Sequence, residues 1–363
     1  MPRYDAFLLV SFGGPEGRDD VMPFLENVTR GRGVPRERLE QVAEHYYRFG
    51  GVSPINGQCR ELLTAIEKDF AASGVDLPIY WGNRNWEPML ADTVARMAAD
   101  GRRHAAAFVT SAYSSYSSCR QYLENIEQAR AQAGPGAPVI DKLRPYFSHP
   151  GFVEPLADAV RDAARALPGR VKDDFDLVFT AHSIPEKMAV SSGPDGGAYP
   201  AQLAEASRLV AERAGRPGAW RLAYQSRSGP PSVPWLGPDV NDCLGDLAEA
   251  GSRGVVLVPV GFVSDHMEVV FDLDVEAAQT ARRLGLPLAR AATPGTDPRF
   301  VAMITELVAE RQDLSGESGG AVPPGQRVPP RALGGLGPAI GTCGSGCCGA
   351  GVTRPGAGPR AGR

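Results

Sequence analysis

The chain has 363 residues, of which 43% are hydrophobic and 22% charged, and its formal net charge is -4. This length allows two domains with separate cores. The slight negative charge gives no reason to expect nucleic acid or an anionic membrane as a partner. The amino-terminal sequence MPRYDAFLLVSFGGP lacks the features of a signal peptide, and no apolar stretch of the sequence is long enough to span a bilayer. We therefore predict a cytoplasmic protein without a transmembrane segment.

Apolar runs and helical patterns alternate along the chain. In the first 150 residues we predict strands at 6–12, 77–82, 105–111 and 138–143, and helices at 19–28, 36–49, 54–70, 87–99 and 121–132. From 151 to 313 we predict strands at 176–181, 220–225 and 255–263, and helices at 151–167, 200–214, 240–250, 265–284 and 298–311. This alternation is typical of α/β proteins with doubly wound parallel sheets flanked by helices. We therefore predict one such domain at 1–150 and a second at 151–313.

The composition changes after residue 313 to Gly, Pro, Ser and Ala, with almost no large apolar side chains. Such a segment buries too little surface to offset the entropy lost on ordering. We therefore predict that 314–363 is a largely disordered tail. It contains the cysteines Cys343, Cys347 and Cys348, whereas the other three cysteines are scattered and are expected to be free thiols in a reducing compartment.

Acidic residues crowd together beyond the last predicted strand. Glu268, Asp272 and Glu276 follow one another at four-residue spacing, close to His266. In a regular α-helix this spacing stacks three carboxylates on one face, and their repulsion favours a bound cation. A solvated acidic helix face is the alternative interpretation. Because open α/β sheets bind ligands at the carboxyl ends of their strands, we expect a ligand site here.

A second histidine, His182, follows the predicted strand 176–181. The carboxyl ends of parallel strands in one sheet point to one crevice, so His182 and Glu268 are expected to face each other. A single histidine in such a position is more often structural. The nearby acidic row makes His182 a candidate for catalysis.

Five segments resemble, in this order, those of the ferrochelatase family: GGP at 13–15, GGVSPI at 51–56, AHSIP at 181–185, QSRSGPPSVPWLGP at 225–238 and FVSDHMEVVFDLDVE at 262–276. The resemblance covers residues 4–312 and is strongest to the bacterial coproporphyrin III enzymes. It implies two Rossmann-like domains with a cleft between them, the chelatase fold. It also implies a lyase that inserts ferrous iron into coproporphyrin III to give coproheme in haem b biosynthesis.

The resemblance implies roles for the candidates. Metal insertion releases two pyrrole protons and so needs a base, and ferrous iron suits imidazole and carboxylate ligands. His182 and Glu268 fit these two roles, and which of them takes protons and which delivers iron stays open. Asp272 and Glu276 would lead a hydrated iron ion toward Glu268. His266 ranks below Glu268, because on a regular helix the two side chains diverge.

The resemblance also suggests residues that bind the porphyrin: Phe12, Ser53, Tyr122, Tyr46, Arg30 and Arg120. Ser53 and Tyr122 match positions that hydrogen-bond the propionates in the bacterial enzymes. Phe12 matches the position of an axial tyrosine, and its phenyl ring can stack on a macrocycle but cannot coordinate iron. Each arginine suits a carboxylate, with a solvated surface charge as the alternative.

The tail cysteines resemble those of relatives that carry a 2Fe–2S cluster, for which C-x3-C-C would supply three of four thiolates. The fourth cysteine of those relatives aligns with Pro155, and no cysteine occurs from 120 to 242. The fourth ligand of such a cluster would have to be Cys119, Cys243 or a group other than cysteine. A free or redox-active thiol tail is the alternative.

Three other functions remain as rivals: a protoporphyrin IX ferrochelatase, a porphyrin or metal carrier without catalysis, and a thiol-based metal sensor. The expected partners are the porphyrin, ferrous iron and a downstream enzyme that accepts coproheme. We expect a monomer.

Overall fold

The computed structural model describes residues 4–31, 33–218, 220–229, 232–314, 329–339, 341, 343–344 and 346–349. Within these ranges the strands form two parallel sheets of four strands each. The first contains β1 (Ala6–Ser11), β2 (Ile79–Asn83), β3 (His104–Val109) and β4 (Val139–Lys142). The second contains β5 (Asp176–His182), β6 (Trp220–Gln225), β7 (Val255–Val258) and β8 (Leu288–Arg290). The predicted α/β class with flanking helices is confirmed.

Helices connect and cover the strands. In the first half they are α1 (Val21–Val28), α2 (Arg36–Tyr47), α3 (Ile55–Ala72), α4 (Leu90–Ala99) and α5 (Gln121–Ala133). In the second half they are α6 (Pro150–Ala166), α7 (Glu186–Val190), α8 (Ala198–Arg213), α9 (Val240–Glu249), α10 (Met267–Val269), α11 (Ala278–Arg283) and α12 (Pro298–Leu314). Short 3-10 helices occupy Arg18–Asp20 and Gly169–Asp173, and π-helices occupy Tyr116–Arg120 and Val270–Ala277.

The two halves share one large core. Phe7 and Leu9 of β1 belong to the same hydrophobic cluster as Val256 and Val258 of β7. The alternate residues of each strand face a second, separate cluster on the opposite side of its sheet. Both central strands are therefore buried on both faces, which explains why their sequences are apolar throughout. The predicted domain boundary at 150/151 stays a prediction, since the cores on its two sides are joined.

The strand order has the same form in both sheets. It is β2-β1-β3-β4 in the first and β6-β5-β7-β8 in the second. The chain moves outward in opposite directions from β1 and β3, and likewise from β5 and β7. These two positions are topological switch points, where open α/β sheets leave a crevice at the carboxyl edge.

Strand β7 ends earlier than the sequence predicts, at Val258 rather than residue 263. Pro259 has no N–H to continue the ladder. Gly261 then passes so close to β5 that a Cβ on it would lie 2.7 Å from the Cα of Ala181. The chain therefore turns across the end of β5, next to His182.

The described part of the tail packs against the body. Leu333 N donates to Ser148 O at 2.7 Å, Ser148 Oγ donates to Gly337 O at 2.9 Å, and Gly335 N donates to Glu205 Oε1 at 2.9 Å. These contacts differ from the disorder predicted for 314–363, because main-chain groups supply the interactions that the small side chains lack. Residues 315–328 and 350–363 lie outside the described residues. No helix in the described ranges is long and apolar enough to cross a membrane.

Candidate active site

His182 and Glu268 meet at the switch point of the second sheet. His182 is the last residue of β5, and Glu268 lies in α10, after neighbouring β7. Their Nε2 and Oε2 atoms are 3.6 Å apart. The side chains are 31% and 46% exposed, so a ligand can reach both from solvent. The predicted facing pair is therefore present, and Tyr199 positions it by donating a hydrogen bond to His182 O at 2.9 Å.

The helix that carries the acids is not a regular α-helix. His266 is extended at its start and accepts a hydrogen bond from Glu268 N through Nδ1 at 3.2 Å. One short turn later the backbone becomes the π-helix Val270–Ala277. The expectation of one regular α-helix from near residue 265 is wrong, since i→i+5 bonding widens the turn and residues four apart no longer stack directly. The capping position also brings His266 Nδ1 to 4.0 Å from Glu268 Oε2.

The two charges stabilise each other. Burial alone would lower the pKa of His182, but the carboxylate of Glu268 outweighs it and raises that pKa to about 9. Burial would raise the pKa of Glu268, and the imidazolium of His182 lowers it instead to about 2. Burial lowers the pKa of His266, and this effect outweighs the nearby carboxylate. At neutral pH the site thus holds an imidazolium–carboxylate pair beside a neutral histidine.

Asp272 behaves differently from Glu268. Burial, followed by the charges of Glu268 and Glu276, raises the pKa of Asp272 to about 7, although the Ser226 hydroxyl donates a hydrogen bond to it. Burial and the charge of Asp239 also raise the pKa of Glu276. Asp272 and Glu276 therefore take up protons more readily than an isolated carboxyl group, as expected for carboxylates close together without a cation.

The other acids of the segment are paired elsewhere. Arg290 contacts Asp265 at 3.1 Å and Asp274 at 2.6 Å. These ion pairs anchor the segment to β8. Glu268 and Asp272, in contrast, lie close enough to His182 for their charges to act on it.

Two residues that the sequence analysis did not single out support this face. Gln225 Nε2 donates to Glu268 O at 2.6 Å, and Ser226 reaches Asp272 from a left-handed backbone conformation with φ of 61°. Such a conformation is uncommon for a residue other than glycine and costs energy. Gln225 is the last residue of β6 and Ser226 follows it, so the argument from strand ends that identified His182 could also have identified them.

The first half of the chain covers the acidic helix. Tyr46 packs in one cluster with Met267 and Phe271, and the His45 ring stacks on Phe271 with centroids 3.6 Å apart. Gln58 Oε1 accepts a hydrogen bond from Asp265 N at 2.8 Å. Burial raises the pKa of Tyr46 well above its usual value, and the charges of the acidic row add to that effect. The site therefore lies between the two halves.

Phe12 and Tyr122 lie at the switch point of the first sheet, joined by Arg84. The Arg84 guanidinium is 4.4 Å from the centre of the Tyr122 ring and 5.7 Å from that of Phe12. Phe12 is 36% exposed, whereas Tyr122 is 4% exposed. Ser53 is buried against Gly14, where a Cβ would lie 2.7 Å from Ser53 Cβ. Arg84 follows β2 directly but was not identified from the sequence, because its partners Phe12 and Tyr122 lie far from it along the chain.

The two predicted arginines, Arg30 and Arg120, both belong to the first half of the chain. Arg30 is exposed in the turn after α1. Arg120 pairs with Glu124 one turn along its own helix, at 3.3 Å. Their assignment to the substrate stays a prediction. The 860 Å³ cavity beside β2, lined by Phe70 and Arg102 among others, contains none of the predicted site residues.

The tail cysteines meet Cys119. The sulfur atoms of Cys119 and Cys343 are 3.9 Å apart, and those of Cys347 and Cys348 are 3.8 Å apart. Cys243, in contrast, is buried in the core between α9 and the second sheet. In the described part of the chain no group of three or more His, Cys, Asp or Glu side chains is already arranged to hold a metal ion.

Comparison with other proteins accounts for this combination. The family model described as Ferrochelatase matches residues 4–312. The coproporphyrin III ferrochelatase of Streptomyces coelicolor is 54% identical, over 98% of this chain and 96% of that protein. The coproporphyrin III ferrochelatase of Mycolicibacterium smegmatis is 57% identical, over 85% of this chain and 89% of that protein.

The ferrochelatase of Rhodopirellula baltica is 54% identical, over 96% of this chain and 94% of that protein. The solved structure of SirB from Bacillus subtilis with Fe³⁺ has a TM-score of 0.50 at 14% identity, over 85% of this chain and 96% of that chain. At that identity it shows the fold alone. The family model and the relatives agree over nearly the whole chain, and the chain belongs to the ferrochelatase family.

Proposed function

We propose that this chain inserts ferrous iron into coproporphyrin III to give coproheme. The observation that carries the proposal is the His182–Glu268 pair, 3.6 Å apart at a switch point, with further carboxylates beside it. A carrier needs no proton acceptor, whereas metal insertion must remove two pyrrole protons. Relatives that carry the name coproporphyrin III ferrochelatase cover nearly the whole chain, which favours this porphyrin over protoporphyrin IX.

The charges of the pair suggest how proton removal follows metal arrival. In the absence of iron His182 keeps its proton because Glu268 is negative. A ferrous ion bound at Glu268 would cancel that charge, and burial would then lower the pKa of the imidazole. His182 would give up its proton to water and become a base able to accept a pyrrole proton. In this scheme Glu268 receives the metal and His182 takes the protons.

Asp272 and Glu276 would form the approach for iron. With its pKa raised to about 7, Asp272 is partly protonated at neutral pH and can exchange a proton for a cation. Carboxylates of this kind bind ferrous iron without retaining it as thiolates do. Ser226 and Gln225 would keep the row aimed at His182 through their hydrogen bonds to Asp272 and to Glu268 O.

The residues at the switch point of the first sheet would bind the porphyrin. Phe12 offers a partly exposed ring for stacking, and Arg84 lies between it and Tyr122. A guanidinium there is suited to a propionate carboxylate. Ser53, Tyr122, Tyr46, Arg30 and Arg120 remain proposed contacts of the propionates.

We also propose that the tail cysteines Cys343, Cys347 and Cys348 bind a 2Fe–2S cluster. Two thiolates bonded at about 2.3 Å to one tetrahedral metal are about 3.8 Å apart, which matches the spacing of the cysteine pairs. The Gly193 N–H donates to Cys348 Sγ at 3.2 Å, and hydrogen bonds of this kind tune the potential of a cluster. Bound there, a cluster would supply a one-electron redox centre and a covalent link between tail and body.

The cytoplasmic location, the monomeric state and a downstream acceptor of coproheme remain predictions. Free thiols such as Cys59 and Cys243 are consistent with a reducing compartment.

An anaerobic insertion assay tests the proposed function. Purified protein is mixed with Fe²⁺ and either coproporphyrin III or protoporphyrin IX, and metalloporphyrin formation is followed by absorbance. We expect turnover with both His182 and Glu268 intact, and faster with coproporphyrin III. His182→Ala should lower the rate by about 100-fold or more, whereas His104→Ala, a histidine outside the site, should not. Tight porphyrin binding without turnover would favour a carrier instead.

A further inference from the structure

We infer that Cys119 is the fourth ligand of the proposed cluster, so that the cluster joins the tail to the body of the protein. This inference rests on the cluster proposed above. In relatives that carry a cluster, the fourth cysteine aligns with Pro155, which here lies in the interior of α6. The fourth ligand of this chain must therefore come from another position.

The cysteines are paired in a way that fits two metal ions. Cys119 pairs with Cys343, and Cys347 pairs with Cys348, each with sulfurs just under 4 Å apart. A 2Fe–2S cluster has four protein ligands, two on each iron. Because Cys348 also contacts Cys119, the four sulfurs lie close enough together to be ligands of one cluster.

The approach of the cysteines does not depend on their own contacts alone. Arg144 is buried and donates to the main-chain oxygen of Arg331 at 2.9 Å, and Ser148 bonds the main chain at Leu333 and Gly337. These bonds dock the segment that precedes the cysteines. The tail is thereby directed along the body to the place where Cys119 lies.

The surroundings of Cys119 suit a bound thiolate. The sulfur of Cys119 contacts those of Cys343 and Cys348, and the ammonium of Lys142 lies near it. Lys142 is only 8% exposed. A buried cation beside four thiolates partly offsets their charge. Each thiol binds as thiolate, so assembly of the cluster releases four protons.

The other cysteines are excluded by position. Cys243 packs with Leu244 and Leu247 in the core on the far side of the second sheet. Cys59 is buried beside Ser11, and its sulfur donates to Ser11 Oγ at 3.3 Å. Cys119 therefore is the cysteine outside the tail that can complete the set. It lies in the π-helix Tyr116–Arg120, which places the cluster on the segment that leads to Tyr122.

The test compares Cys119→Ala with Cys243→Ala, a matched change at an equally buried cysteine. Each full-length variant is treated anaerobically with ferric iron, sulfide and a thiol reductant, and then assayed for bound iron, visible charge-transfer absorption and the electron paramagnetic resonance signal after reduction. We expect about two irons per chain in the natural protein and in Cys243→Ala, and at least a tenfold loss of absorption and signal in Cys119→Ala. Iron insertion activity is measured separately, so loss of the cluster is distinguishable from failure of the proposed function.

Full absorption in Cys119→Ala would overturn the assignment, and so would the absence of any cluster in the natural protein. If Cys119→Ala does not fold, Cys119→Ser replaces it. A serine oxygen on the iron shifts the charge-transfer bands and lowers the reduction potential, so unshifted bands in Cys119→Ser would also contradict the inference.

Discussion

Replacing Glu268 with glutamine should change the protonation of His182. The change keeps the size of the side chain and removes its charge. The carboxylate holds the pKa of His182 at about 9, against an ordinary 6.5, in opposition to burial. Without it we expect that pKa to fall below 6.5. At pH 7.5 the ratio of imidazolium to imidazole would change from about 30:1 to below about 1:10.

The assay is a titration of the histidine imidazole nitrogens by nuclear magnetic resonance from pH 5 to 10. The chain has only five histidines, and the His182 signals are assigned by their loss in His182→Ala. Glu306→Gln is the control, because Glu306 lies 3.2 Å from the ring of His149 and should leave His182 unaffected. A pKa of His182 that stays above 8 in Glu268→Gln would refute the proposed control of His182 by the occupancy of Glu268.

Three further predictions concern stability and binding. The pKa of Asp272 is raised, so its contribution to stability is present below pH 3.8 and is lost as the pH rises to about 7. In urea unfolding at pH 8, Asp272→Asn should therefore be more stable than the natural protein by about 1 kcal/mol after allowance for solvent screening. Below pH 4 the two proteins should be equally stable. Arg144→Met should destabilise the fold by about 3–5 kcal/mol in the same assay, since it leaves Glu310 buried and unpaired, and an effect below 1 kcal/mol would contradict this. Arg84→Ala should raise the KM for coproporphyrin III by about tenfold, the effect of one lost charge-assisted hydrogen bond, with little change in kcat. Steady-state kinetics check this, with Arg96→Ala as the control because the Arg96 guanidinium lies over the Tyr80 ring and is not among the proposed porphyrin contacts; an unchanged KM in Arg84→Ala would contradict the prediction.

The fold class followed from the sequence because the strands are buried on both faces. Phe7 to Val10 and Val255 to Val258 read as continuous apolar runs, and each run became a central strand. Strand β8 has only three partly exposed residues, so no apolar run marked it. The tail illustrates the opposite limit. Its docking depends on main-chain hydrogen bonds to Ser148 and Glu205, which composition does not encode.

Some residues of the candidate site could likewise be predicted from local sequence features, and others could not. His182 and Glu268 were found because each follows a strand, which is a local feature. Arg84 and Cys119 acquire their significance only from partners far away in sequence, Tyr122 and Cys343. Neither the Arg84–Tyr122 contact nor the Cys119–Cys343 contact could be predicted from one sequence. Each depends on how the loops and the tail pack over the sheets.

The π-helix Val270–Ala277 explains why the four-residue spacing of the acids did not predict their arrangement correctly. On a regular α-helix Glu268, Asp272 and Glu276 would repel one another along a single line. The wider turn spreads them, while His182 and Ser226 each neutralise or hydrogen-bond one carboxylate. A helix irregular at this point costs stability, as does the left-handed backbone of Ser226. The irregular helix and the strained Ser226 backbone are both explained if the segment is shaped to exchange a cation. A row of acids that was fully neutralised by the protein itself would not bind a cation.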